Sequence, residues 1–219
     1  MLFPYARARL VEFARESAAA GTLGHDAALL RREHAQDVER GLDPPAWPAG
    51  GADDEAPRLA AYAAWLMDQD RKSTGLKSLQ GKIWEAGYHA GDLQGEVYPD
   101  VPHAFERWIG QGRQVAIFSS GSVLAQKLLF SRSTAGDLTP RIAAYFDTTT
   151  GPKRDPESYR RIAAALGAPV SSVLFVSDTR EEIDAARAAG METALCVRPG
   201  SRRPDSGPTP LIESFDELL

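Results

Sequence analysis

The segment "SSVLFVSDTREEIDAARAAG", residues 171–190, constrains this chain more than any other stretch. Its apolar run Val173-Leu174-Phe175-Val176 has the length of a buried strand. It closes on the polar pair Ser177-Asp178 and passes at once into a helix-forming sequence that ends on glycine. A strand feeding a helix is half of a βα unit, and a succession of such units builds a parallel sheet. The rhythm recurs: "QVAIFSS" leads to "SVLAQKLLF", "AYFDTTT" to "DPESYRRIAAALG", and "TALCVR" stands as a last strand. Before them, "YPDVPHAFERWIGQG" reads as a helix with prolines near its start, where missing amides cost little. Residues 96–219 are therefore expected to form an α/β domain, a Rossmann-like parallel sheet with helices on both faces.

Residues 1–95 follow another pattern. "PYARARLVEFARESAAAG" and "HDAALLRREHAQDVERG" place apolar residues at helical spacing and close on glycine, and "RLAAYAAWLMDQD" and "LKSLQGKIWEAGYHAG" continue the series. This half is expected to be a separate helical domain, interrupted by the Pro- and Gly-rich loop at 42–57; a second such loop occupies 198–210. No stretch has about 18 consecutive apolar residues, and "MLFPYARARLVEF" breaks the apolar run a signal peptide requires. One cysteine, Cys196, leaves no disulfide framework or cysteine metal cluster within the chain. A net charge of −5 with scattered arginines argues against nucleic acid as a partner. Together these features predict a soluble cytoplasmic protein without a membrane or nucleic-acid partner.

Open parallel sheets bind ligands outside the carboxyl ends of their strands. Ser119-Ser120-Gly121-Ser122, Lys153 and Ser177-Asp178 all fall at that rim. Hydroxyls and amides at a strand-to-helix turn suit a phosphate, and a lysine supplies charge. A carboxylate beside a phosphate is attractive only with a divalent cation between them. Each residue alone has a plainer role: Ser120, Ser122 and Asp178 as helix caps, Lys153 as a solvated cation. Their order, each at a strand end, favours the joint reading. His25, His34, His89 and His103 lack metal-ligand spacing and read as surface or cap residues. The four tryptophans, Trp47, Trp65, Trp84 and Trp108, read as packing. Lys77, Gln80 and Trp84 share a helical face and could touch a ligand, although a packing stripe is the stronger reading. A signalling receiver would place its phosphoacceptor strand before the Ser and Lys strands, and a dinucleotide-binding oxidoreductase would need Gly-x-Gly-x-x-Gly, which is missing.

The stretches "FSSGSVLAQKLLF", "STAGDLTP", "YFDTTTGPK", "SYRRIA" and "LFVSD" resemble the haloacid dehalogenase superfamily and, within it, the enolase-phosphatase family of methionine salvage. "MDQDRKSTGLKSLQGKIWEAGY" and "GEVYPDVPHAFERW" extend the resemblance over nearly the whole chain. It implies a haloacid dehalogenase-type core with a helical cap, bound Mg2+, a monomer, and a small phosphorylated substrate. That substrate, 2,3-diketo-5-methylthiopentyl-1-phosphate, would be enolised and dephosphorylated to an acireductone. By position, Ser119 and Ser120 would bind the substrate phosphate, Lys153 would bind it and serve catalysis, and Asp178 would hold the metal.

One departure accompanies the resemblance. Members of the family begin with a strand ending in an Asp-x-Glu-Gly-Thr-Thr type motif whose aspartate attacks phosphorus, and nothing in residues 1–20 matches it. Three explanations are open: Met1 as an internal methionine of a longer reading frame, which is the reading taken; a fragment; or a descendant that binds phosphate without chemistry. On the first, the full-length protein is a phosphatase and the chain as given is inactive. Loss of that central strand would leave its neighbours with unpaired backbone groups and an exposed apolar face.

Overall fold

Backbone hydrogen bonds and apolar faces sort the chain into two compact units, Met1–Leu93 and Gln94–Leu219. The structure, a computed structural model, describes residues 2–47, 55–201, 207 and 209–218. Parts of the two loops read from the sequence, residues 48–54, 202–206 and 208, lie outside the described residues.

The first unit is built from α1 (Leu2–Ala19), α2 (Gly24–Glu39), α3 (Glu55–Asp68) and α4 (Thr74–Ala90). Helices α1 and α2 each pack against both α3 and α4. Their shared core holds Leu10, Leu30, Leu59, Tyr62, Leu66, Leu79 and Ile83, all buried. Each such aliphatic side chain contributes about 2 kcal/mol from removal of apolar surface from water. The start of α4 is held at both sides. Ser73 caps it by accepting from the Leu76 amide at 2.9 Å, and Glu33 of α2 accepts from the Thr74 and Gly75 amides at 3.0 and 3.1 Å. A Cβ on Gly75 would stand 2.8 Å from Leu30 Cγ, so only glycine lets this turn lie on α2.

Among the described residues of this unit Asp26 and Asp37 are buried, each with partners. Asp26 accepts from Ser78 Oγ and Lys82 Nζ, both at 2.7 Å. Asp37 accepts from Tyr62 Oη and Arg71 Nη2, both at 2.8 Å. Burial alone would raise the Asp37 pKa; the Arg71 and Tyr62 hydrogen bonds outweigh it and hold the carboxyl below its ordinary value. His34 corrects a sequence expectation. It is half-buried, donates from Nε2 to the Pro45 carbonyl at 2.8 Å, and meets the Tyr62 and Trp47 rings edge-on at 4.9 and 5.6 Å. Of the face shared by Lys77, Gln80 and Trp84, the last two are buried and Lys77 is exposed. Trp84 donates to the Leu2 carbonyl at 2.9 Å and packs on Phe3.

The second unit opens with α5 (Asp100–Gly110). Three βα units follow: β1 (Ala116–Phe118) to α6 (Val123–Ser131), β2 (Ala144–Phe146) to α7 (Pro156–Ala165), and β3 (Leu174–Ser177) to α8 (Arg180–Ala189). Two last strands, β4 (Glu192–Cys196) and β5 (Leu211–Ile212), close the order. Every pairing is parallel, as the βα rhythm requires. β5, in the tail segment "LIESFDELL", carries no strand signal of its own; two residues suffice because β4 supplies the ladder, with Leu195 opposite Leu211.

The strands form two sheets, β1-β2 and β3-β4-β5. Among the described residues, β1 pairs only with β2 and β3 only with β4, so each leaves one edge free. The residues of β1 and β2 are half-buried and Leu174 of β3 is 44% exposed, whereas Thr193–Cys196 of β4 are buried. Free, partly exposed apolar edges are templates for a further strand.

The tail returns to the start of α5 through one polar cluster centred on Asp100. Asp100 Oδ2 accepts from Arg198 Nη1 at 2.6 Å, from Ser214 Oγ at 3.0 Å and from the Phe215 amide at 2.6 Å. The Arg198 guanidinium lies 4.2 Å from the Tyr98 ring centroid and 4.7 Å from that of Phe215. Burial pushes the Asp100 pKa up, but Arg198 and the other donors prevail and hold it below the ordinary carboxylate value. A depressed folded pKa stabilises above the unfolded value and is lost as pH falls through the folded one. Asp100→Ala is expected to cost about 3 kcal/mol at neutral pH in chemical denaturation, because it strands a mostly buried guanidinium. The difference from wild type should shrink as both proteins are acidified below about pH 4.

Candidate functional site

The carboxyl ends of β1, β2 and β3 deliver the polar groups that the sequence singled out. After β1, Ser119 donates its amide to the Phe146 carbonyl of β2 at 3.1 Å, and its Oγ accepts from the Gly121 amide at 3.1 Å. Among the described residues the Ser119 hydroxyl proton has no acceptor, so it can serve a ligand. Ser120 is exposed, and its hydroxyl makes no hydrogen bond among the described residues. Ser122 is the helix cap: its Oγ accepts from the Ala125 amide at 3.2 Å. The capping role weighed for Ser120 and Ser122 thus belongs to Ser122.

Lys153 is not a solvated loop cation. Its Nζ lies 2.7 Å from Glu182 Oε1 and 5.7 Å from the centroid of the Phe118 ring, the residue before Ser119. The other Glu182 oxygen, Oε2, accepts from Ser177 Oγ at 2.9 Å, the residue before Asp178. One chain of contacts therefore runs from the end of β1 through Lys153 and Glu182 to the end of β3. The ammonium and the Glu182 carboxylate are mostly buried, with side-chain exposures of 22% and 12%, so each would be costly without the other.

Asp178 is exposed, and its Oδ1 accepts from the adjacent Thr179 hydroxyl at 3.2 Å. It does not cap α8; the N-cap position is Thr179, which makes no side-chain cap bond. Its carboxylate is a hard oxygen donor at the strand end, suited in chemistry to a divalent cation. Among the described residues no group of three or more His, Cys, Asp or Glu forms a closed metal cage. Magnesium does not demand one, since it keeps several waters and takes one or two carboxylates together with phosphate oxygens.

Four supporting residues escaped sequence reading. Tyr159, fully buried on α7, packs edge-on against Phe118 at 5.7 Å and Phe175 at 4.8 Å, and its hydroxyl donates to the Lys153 carbonyl at 2.6 Å. Burial pushes its phenol pKa up, with the nearby Glu182 charge adding to the effect. Glu182 reads in the sequence as an acid favouring a helix N-terminus; the signal that could have found it is the need of a buried lysine for a countercharge. Asp147, buried at the end of β2, braces the next turn by accepting from the Thr149 amide and hydroxyl at 2.9 and 2.6 Å. Gln126, buried in α6, donates to the Gly121 and Phe146 carbonyls. Asp147 and Gln126 left no signal in spacing.

A family model described as haloacid dehalogenase-like hydrolase matches residues 8–190. The chain is 50% identical over 218 residues to the enolase-phosphatase E1 of Synechococcus elongatus, covering 100% of this chain and 89% of that protein. It is 42% identical over 219 residues to the enolase-phosphatase E1 of Pseudomonas aeruginosa, with coverage of 100% and 89%. Among solved structures, the UTR4 protein of Saccharomyces cerevisiae superposes with a TM-score of 0.79 at 31% identity, covering 100% of this chain and 91% of that one. A haloacid dehalogenase-type phosphatase from Thermococcus onnurineus, at 18% identity and a TM-score of 0.55, shares the fold.

Gly151 shapes the turn that carries Lys153. Its φ is +148°, and a Cβ there would stand 2.2 Å from Ser158 Oγ. Gly151→Ala is expected to lower stability by about 1–3 kcal/mol through strain and overlap. Adding Ser158→Ala should relieve only part of that loss in thermal unfolding, because it removes the Oγ overlap but leaves Ser158 Cβ at 3.2 Å, gives up the Ser158 Oγ bond to the Pro152 carbonyl and leaves the φ unsuited to alanine. Glu182→Gln keeps the shape and removes the countercharge of Lys153; a loss of about 1.5–3 kcal/mol is expected in the same measurement.

Proposed function

The chain belongs to the haloacid dehalogenase-like hydrolases, among relatives of the enolase-phosphatase E1 type, and we propose that it holds the substrate phosphate in a magnesium-dependent phosphoric monoester hydrolase of methionine salvage. The substrate of that reading is 2,3-diketo-5-methylthiopentyl-1-phosphate, enolised and dephosphorylated to an acireductone. The observation that supports it is the contact chain Phe118–Lys153–Glu182–Ser177, which ties the Lys153 ammonium to the residue before the serine loop and, through Glu182, to the residue before Asp178.

In this reading the free hydroxyl of Ser120 and the hydroxyl proton of Ser119 donate to phosphate oxygens. Lys153 adds charge at a fixed place, since Glu182 restrains its Nζ and Tyr159 its carbonyl. Asp178 would hold the magnesium ion on its exposed carboxylate. When bound, the ion neutralises phosphate charge and polarises a phosphoryl oxygen. We assign residues 1–95 to a helical cap and residues 96–219 to the phosphate-holding core. The reading includes a monomer working in the cytoplasm, without nucleic-acid or membrane partners. Among the described residues no helix is long and apolar enough to cross a membrane.

A second reading, phosphate binding without chemistry by these residues alone, is favoured by the state of the nearby carboxylates. Asp147 is committed to the Thr149 turn and the Val123 amide, and Glu182 to Lys153 and Ser177. Neither is free to attack phosphorus, and Asp178 is the oxygen donor proposed for the metal. Residues 1–219 by themselves are therefore proposed to bind phosphate and not to hydrolyse the ester.

Calorimetry with inorganic phosphate and Mg2+ tests the binding. Lys153→Met and Asp178→Asn should each weaken phosphate affinity by about tenfold or more. Folded wild type that takes up no phosphate, or variants that bind as wild type does, would remove the reading. Incubation with the diketo ester separates the two versions: release of phosphate by the 219-residue chain refutes the inactive one and retains the phosphatase.

A further inference from the structure

Gln126 is 6% exposed and lies in the first turn of α6, directly after the serine loop. Its Nε2 donates at 2.9 Å to the Gly121 carbonyl and at 2.9 Å to the Phe146 carbonyl. The Phe146 carbonyl also receives the Ser119 amide. One amide group thus joins the beginning and the middle of the loop to the end of β2. The orientation of the amide is dictated by its surroundings: turned over, Oε1 would face two carbonyl oxygens with no donor between them. As placed, Oε1 is buried and has no hydrogen-bond partner among the described residues. A glutamine in the interior with half of its amide unpaired is destabilising relative to a satisfied one. An apolar side chain of similar length would pack there without that cost, so stability by itself does not account for the amide.

What the amide accomplishes is conformational. Peptide units are planar, with C=O and N–H pointing in opposite directions. Holding the Gly121 carbonyl on Gln126 turns the Ser122 N–H away from that buried amide. A loop free to rotate this peptide would present a carbonyl dipole, which repels an anion, where it should present an N–H. We propose that Gln126 is a positioning residue for the phosphate site: it acts through the Gly121 peptide, without touching the ligand, to hold residues 119–122 in their anion-binding arrangement. This rests on the phosphate-binding reading above.

The test uses inorganic phosphate with Mg2+ as the probe on the full chain. Gln126→Met keeps length and apolar contact and removes both donors; it is expected to weaken phosphate binding by about tenfold while the protein still unfolds cooperatively. Asp137→Ala serves as the destabilised control. It removes the bonds to the Thr139 amide and hydroxyl, at the opposite end of β2, and should lower the melting temperature without changing the affinity. Gln126→Glu supplies a signature that packing alone would not. Ionised, the new carboxylate opposes two carbonyl oxygens; protonated, it donates again to one of them. Buried opposite two carbonyl oxygens, the new carboxyl titrates above the ordinary glutamate range, so its affinity deficit relative to wild type should be about tenfold at pH 8 and narrow several-fold at pH 5. A Met variant that binds phosphate as wild type does, or a Glu variant whose deficit is independent of pH, overturns the role of Gln126 and leaves the phosphate site standing. Wild type that fails to bind phosphate removes the site itself, and the role of Gln126 with it.

Discussion

The buried phenol of Tyr159 is the interaction on which the second unit turns. Its ring touches the last residue of β1 and the middle of β3, while its hydroxyl holds the backbone of the loop that carries Lys153. The two sheets meet on this side chain. Because β1 and β3 share no ladder among the described residues, packing on α7 does the work that backbone pairing does elsewhere in the molecule. Aromatic contacts of this kind contribute about 0.5–1.5 kcal/mol each beyond their buried area, and the hydrogen bond adds direction.

From that anchor the polar site follows. A lysine whose carbonyl is held by Tyr159 cannot wander, and its ammonium comes to rest on Glu182. The glutamate's second oxygen reaches Ser177, so the ends of β1 and β3 are linked through charge as well as through apolar packing. The cost of burying this ion pair is met by its mutual attraction and by the serine hydroxyl, in the manner expected of a pair retained for position more than for stability. The first unit shows the same economy in Asp26 and Asp37, each buried and each given two donors.

Some corrections are informative about the limits of reading letters. His34 reads in the sequence as a surface or cap residue; the aromatic wall made by Tyr62 and Trp47 draws it in. Asp178 could have capped α8 and does not, because the chain enters that helix one residue later, at Thr179. β5 had no pattern of its own, because an edge of two residues is defined by the partner that accepts it. Gln126 and Asp147 fell among residues that are usually solvated, and nothing in their spacing announces that they are buried.

Local periodicity was enough to determine the helical first half, the βα rhythm of the second, and the placement of Ser119, Ser120, Lys153 and Asp178 at strand ends. Those properties depend on neighbours within a few residues, so a single chain of letters contains them. Tertiary structure alone decided which charges pair, which hydroxyls stay free, that the sheet divides between β1 and β3, and that Tyr159, Glu182 and Gln126 hold the loops in place. These depend on contacts between residues far apart in the chain, where burial raises the cost of every unpaired polar group and so selects one set of partners.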